Sequence, residues 1–170
     1  MGGTNATMNA ETSSINLGGV GGFLGGGLTY NIVNLNGSSH TISGSNTFAQ
    51  LNLPSGTTQT ITFTDGTTQT IATPSLSGSA GHVHTLQGSS TGGWTLAKSG
   101  GGTVTADYLA ISYGKIAPDG AVWNPGTNST RDANTTGWDF WSYGAGLING
   151  INPRSINNIS CAQCVNVNGI

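Results

Sequence analysis

The chain has 170 residues, enough for one domain with a substantial core and too few for two comfortable ones. Only 6% are charged, against about 25% in an ordinary soluble domain, and the formal net charge is -2. That balance argues against nucleic acid, whose phosphates need a basic footprint, and against a disordered tail kept open by net charge.

So neutral a surface is poorly protected against self-association. The expectation is a surface of hydroxyls and amides that neighbouring subunits partly cover. No stretch approaches the roughly 20 apolar residues of a membrane span. The start, "MGGTNATMNAETSSINLGG", lacks the basic and apolar regions of a secretory signal. Export then either followed removal of a signal or used none, as for a virus particle released by lysis.

Residues 1–28 are Gly-rich, and "GGVGGFLGGG" at 18–27 is broken only by Val20, Phe23 and Leu24. Glycine at that density holds neither a helix nor a strand interior without a large entropic cost. Bulky apolar residues are wasted in a pure linker, so the stretch is expected to be an arm. Val20, Phe23 and Leu24 would make its subunit contacts.

Residues 29–140 read as a β-rung domain. The runs are "YNIVNLNG" (30–37), "HTISG" (40–44), "TFAQLNL" (47–53), "QTITFTDG" (59–66), "TQTIA" (68–72), "PSLSG" (74–78), "HVHTLQG" (82–88), "WTLAK" (94–98) and "TVTADYLAISY" (103–113). Most are rich in Thr, Ile, Val and aromatics and closed by Gly, Ser, Asn or Asp, and no 3.6-residue period persists. Ile42 and Ile61 are 19 apart, Leu35 and Leu53 18, Leu51 and Leu76 25. Recurrence near twenty, with two or three tiny strands per unit, predicts an all-β, short right-handed parallel β-helix (solenoid). A β-sandwich or jelly roll is the alternative.

Within this domain "GTTQTITFTDGTTQTI" (56–71) repeats Gly-Thr-Thr-Gln-Thr-Ile after ten residues. Half a rung of spacing predicts two sides of one coil around a turn at Asp65-Gly66, with Ile61, Phe63 and Ile71 inward. Residues 111–140 carry Pro118, Pro125, Trp123, Trp138 and Phe140 among turn signals, and are expected to be the last rung and a turn-rich cap over the open end. Residues 141–170 form an Asn-rich tail ending in "CAQCVNVNGI".

A resemblance enters over 83–140. Asp107-Tyr108-Leu109-Ala110-Ile111, Trp123, Asn128-Ser129-Thr130 with Asp132, and Gly137-Trp138-Asp139-Phe140 resemble a module of phage structural and fibre proteins and of large bacterial surface proteins. Residues 30–82 look like the looser strand repeats that precede it. The resemblance implies a β-helix-like rung array serving as stalk, fibre or shell component rather than as a catalyst. The Gly-rich start and the Cys-bearing end have no counterpart in that pattern.

Candidate chemistry is sparse. His82 and His84 would lie on the same side of a strand and could form half of a metal site. No acid lies within ten residues of them and His40 is distant in sequence, so the reading is two outer-face side chains and no metal. Cys161 and Cys164 form a C-x-x-C, open to redox or zinc chemistry; a local disulfide pinning the tail is preferred, then free thiols. The acids are Glu11, Asp65, Asp107, Asp119, Asp132 and Asp139. Arg131-Asp132 and Asp139 in the cap keep a sugar-cleaving site open, but Asp in turns usually closes Asx-turns, and a hydrogen bond to a neighbouring rung suits Asp107. The sequons at Asn5, Asn36, Asn128, Asn134 and Asn158 are expected by chance in this composition. Thr pairs (Thr58/Thr60, Thr68/Thr70, Thr103/Thr105) resemble ice-binding arrays but recur too irregularly to tile one plane.

Together these features point to a non-catalytic structural protein of a phage particle, a capsid decoration or fibre component, located in the virion or outside the cell. It would act as a homo-oligomer, with a trimer among the open states, and contact other virion or surface proteins. Trp123, Trp138, Phe140 and Trp141 would close the core or an interface. The runner-up is a bacterial surface adhesin binding glycan around those aromatics, and a polysaccharide-active β-helix enzyme is third. No cofactor, nucleic acid or membrane insertion is expected.

Overall fold

The structure, a computed structural model, describes residues 12–140. Among these residues there is no helix, and fourteen short strands wind into six stacked coils. The first coil carries β1 (Ser14–Leu17) and β2 (Gly21–Leu24), and the second β3 (Thr29–Leu35) and β4 (Ser39–Ser43). The third carries β5 (Thr47–Asn52) and β6 (Thr60–Phe63), and the fourth β7 (Thr68–Ser75) and β8 (His84–Gly88). The fifth has β9 (Trp94–Lys98), β10 (Thr103–Thr105) and β11 (Leu109–Ile111). The sixth has β12 (Gly114–Ile116), β13 (Val122–Asn124) and β14 (Thr130–Arg131).

Each strand pairs in parallel with its equivalent one coil on. The first sheet runs β1-β3-β5-β7-β9-β12, the second β2-β4-β6-β8-β11-β14, and β10-β13 forms a short third sheet. Parallel pairing between coils is what a solenoid requires and what an antiparallel sandwich lacks. No described helix is long and apolar enough to cross a membrane.

Alternation of side chains builds the core. Ile15, Val33 and Leu51 stack in register in the first sheet, and Phe23, Ile42 and Phe63 in the second. Between the sheets lie fully buried Leu35, Ile71, Trp94, Leu96 and Leu109. Aromatic rings fill two levels: Phe23, Tyr30 and Phe48 form one cluster, and Phe63 stacks on Trp94 with centroids 4.1 Å apart.

The two Gly-Thr-Thr-Gln-Thr-Ile copies run from turns into β6 and β7, residues 60–61 of the first and 68–71 of the second being in strand, on different sheets of the stack with a turn at Asp65-Gly66 between them. Ile61, Phe63 and Ile71 are buried. Outer faces carry polar ladders instead. Asn34 donates to Asn16 Oδ1 at 2.8 Å and accepts from Asn52 at 2.7 Å.

Three expectations change in detail. The Gly-rich stretch is, from Thr12 onward, the first coil of the solenoid rather than a separate arm: β1 and β2 each pair with a neighbour, and Phe23 is buried. Two short strands at the end of a sheet, with the next coil supplying their ladder, tolerate glycine that an isolated strand would not. The run 103–113 is two strands, because Tyr108 turns the chain at φ 56° and sends β10 and β11 into different sheets. Register also departs from the simple spacings. Ile42 faces Phe63 rather than Ile61, and Leu51 faces Pro74 rather than Leu76. Coil length varies through the turns, so partners are 18 residues apart between β1 and β3, 27 apart between β7 and β9, and 20 apart between β9 and β12.

Candidate functional site

Polar chemistry concentrates at the corners of the coils, where a strand ends and its backbone groups need partners. Asp65, in the turn between β6 and β7, accepts from Ser90 N at 3.0 Å, Gly92 N at 2.8 Å and the Ser90 hydroxyl in the turn one coil on. The Ser90 hydroxyl and the Ser90 amide, with Gly92 and Ser89, hold this carboxyl below its ordinary range. Asp107 accepts from Tyr108 N and Asn128 N at 2.9 Å each and from Asn128 Nδ2 at 2.8 Å. Partial burial pushes its pKa up, but the Asn128 side chain and these amides outweigh that and lower it.

Asp119 accepts from Lys98 N at 2.7 Å and Ala121 N at 2.9 Å. Asp132 accepts from Tyr113 N, Asn134 N and the Thr135 hydroxyl. Asp139 is buried, and its amide donates to Trp123 O at 2.7 Å. These carboxylates are spread over separate corners and each of the first four is occupied by N–H or O–H donors. Their arrangement locks one coil to the next.

This gives the D-Y-L-x-I … N-S-T-x-D pattern a physical meaning. Asp107 binds Asn128, Leu109 N donates to Ser129 Oγ at 2.8 Å, and Tyr113 N donates to Asp132, all between coils five and six. Gly126 completes the lock, since a Cβ there would fall 2.6 Å from the Asp107 carboxylate.

A second polar set is internal. His40, Asn46, Gln59, Gln69 and His84 are all buried. Asn46 N and Nδ2 donate to Gln69 Oε1 at 3.3 and 3.0 Å, and Gln69 Nε2 donates to Gly44 O at 2.8 Å. Gln59 Nε2 donates to Gly37 O at 2.6 Å and to Leu35 O. Gly37 N donates to His40 Nε2 at 3.0 Å. Sequence reasoning missed this set, although its signal is visible: each member precedes a Thr and then an inward apolar residue, as in His40-Thr41-Ile42, Asn46-Thr47-Phe48, Gln59-Thr60-Ile61, Gln69-Thr70-Ile71 and His84-Thr85-Leu86.

The sequence candidates are placed as follows. His82 is exposed and bridges Ser79 through its backbone, while His84 opens β8 and is fully buried, so the two imidazoles do not share a surface. The described residues hold no group of three or more His, Cys, Asp or Glu placed for a metal. Trp123 and Trp138 are buried and meet edge to face at 5.6 Å, and Arg131 lies 5.0 Å over the Phe140 ring. Thr60, Thr68 with Thr70, and Thr103 with Thr105 fall on three different sheets. Glu11, Trp141, Cys161 and Cys164 lie outside the described residues.

At the first coil the exterior is different. Val20 is 75% exposed and Leu24 83%, while Phe23 turns inward. β1 and β2 end their sheets, and among the described residues nothing pairs with their outer edges. From Thr12 to Thr64 the chain has no Lys, Arg, Asp or Glu, so among the described residues charge begins at Asp65.

The fold and these corners define a parallel β-solenoid of six coils. Comparison with protein-family models, with curated proteins and with solved structures finds no match.

Proposed function

We propose that the protein is a non-catalytic structural component of a phage particle, a capsid decoration or fibre element, working by oligomeric assembly through its first coil. The observation that carries this reading is the pair of charge-free sheet edges of β1 and β2, flanked by exposed Val20 and Leu24. Natural sheet edges are normally guarded by charge, Pro, bulges or a cover. SINL and GGFL have no charge and no Pro. A partner for both edges must offer two strands at once, which another solenoid end does and a single peptide strand does not. Carboxylates engaged in corner locks suit a scaffold. The buried indoles of Trp123 and Trp138 present no ring face to a sugar, which favours assembly over the glycan-binding alternative.

The test compares the full chain with Val20→Lys/Leu24→Lys by sedimentation, alongside labelling of the native particle. Association of the wild type, lost in the variant while the β signal in circular dichroism is kept, is the expected result. A wild type that stays monomeric at every concentration and is missing from particles would sink the proposal.

A further inference from the structure

The buried polar set contains one thread that the corner locks do not use. His40 Nε2 accepts from Gly37 N, and Gly37 O accepts from Gln59 Nε2, which joins coil two to coil three. Gln59 and His84 occupy equivalent positions one coil apart, since Thr85 N donates to Gln59 O at 2.8 Å and Thr60 pairs with Thr85. In-register residues of adjacent parallel strands are about 4.8 Å apart, so these two side chains are neighbours inside the stack. Among the described residues, Gln59 Oε1 and both ring nitrogens of His84 are buried without a hydrogen-bond partner of good geometry.

We propose that His40, Gln59 and His84 form an acid-sensitive seam: proton uptake by the two imidazoles releases coils two, three and four from one another along the second sheet. The inference does not depend on the assembly role proposed above. His40 can accept from Gly37 only while Nε2 is unprotonated; a proton there sets donor against donor and frees the turn that holds Gln59. A proton on His84 places a cation beside Gln59, Leu86 and Leu109, where the Gln59 amide oxygen and the Ser77 backbone are the acceptors within reach and a poorly paired buried charge is strongly disfavoured.

Among the described residues no carboxylate faces the seam, and the Ser77 backbone is the one group that favours a charged His84. β2 and β6 carry no titratable side chain. From β3, Tyr30 is buried with its hydroxyl on Gly25 O at 2.6 Å. From the chain entering β11, Asp107 is occupied by Tyr108 and Asn128, and Tyr108 lends its carbonyl to His84 N. From β9, Lys98 Nζ donates to Ala72 O, and from β12, Lys115 Nζ reaches towards Gly92 O. His82 adds like charge beside His84. Burial holds His84 below the ordinary imidazole range, opposed by the Ser77 backbone and reinforced by His82, and burial likewise lowers His40. An opened seam therefore binds protons better than the closed one, and acid drives opening.

Hydrogen exchange of the full chain near about pH 7.5 and about pH 5, the range histidine spans, reads this directly once intrinsic chemical rates are removed. The expected result is a loss of protection of about tenfold or more in 36–43, 59–63 and 84–88. His40→Gln with His84→Leu, which keeps an acceptor for Gly37 and cannot charge, should abolish the change, and His82→Gln should leave it intact. Equal protection at both pH values, persistence of the change in the double variant, or its loss in His82→Gln would each overturn the seam. If the double variant fails to fold, nuclear magnetic resonance of the wild-type imidazoles decides. Rings that stay neutral until protection is lost support the proposal, and rings that titrate normally within a protected stack refute it.

Discussion

Gly114 stands opposite Trp94 in the pairing of β9 with β12. A Cβ at Gly114 would lie 2.8 Å from Trp94 Cζ2 and 2.9 Å from the Ile111 side chain. The Trp94 ring, stacked on Phe63, thus fills the volume that a side chain on the next coil would need. Overpacking of a close-packed core costs about 1–3 kcal/mol, and Gly114→Ala is expected to lose an amount in that range in denaturant unfolding. Trp94→Phe vacates the space, so the double variant should lose clearly less than the sum of the two single losses. Strict additivity would show that the ring is not what excludes a side chain at Gly114.

The strands divide their polar residues by parity. Gln69 and Ile71 point inward from β7 and Thr70 outward, so Gln69, whose amide would look at home on a surface, carries the tie to Asn46 and Gly44. Gln69→Leu removes an acceptor from two Asn46 donors and should cost about 1–3 kcal/mol, whereas Thr70→Ala should stay within roughly 0.5 kcal/mol of wild type. Thermal unfolding of the two variants checks the contrast; similar shifts would refute the division. The same parity marks how far sequence reasoning reaches. Coil architecture and inward Ile61, Phe63 and Ile71 were legible because Thr alternates with apolar residues and recurs near twenty. The Gln and His positions were not, since period two assigns a face without saying whether a polar residue there has a partner one coil away. Register was equally hidden: Pro74 faces Leu51 because the long turn between β5 and β6 shifts the count, and turn length is weakly encoded in apolar spacing. Tyr108 at positive φ was invisible for a related reason, since its bend is fixed by Asp107 and Asn128 across coils.

The solenoid as a whole has an uneven distribution of charge along its axis, and this should give it two separable responses to acid. Coils two to four hold buried His40 and His84, while the Asp65 lock ties the turn after coil three to the turn after coil four and the Asp107 lock ties coil five to coil six. All four groups have native pKa values lowered from their ordinary values. A lowered native pKa means that the unfolded chain binds the proton more readily. The associated stability is then complete above the unfolded value and is lost as pH falls through the native one. For the histidines the loss begins near about pH 6.5, and for the carboxylates only near about pH 4. Because a solenoid's coils contact only their neighbours, local losses need not spread through the stack at once. Thermal midpoints followed from neutral to low pH should therefore fall in two windows. Asp65→Asn with Asp107→Asn should flatten the lower window and spare the upper, and His40→Gln with His84→Leu should do the reverse. A single decline that responds equally to both pairs would mean that the stack unfolds as one unit, with the corner locks and the interior thread coupled throughout its length.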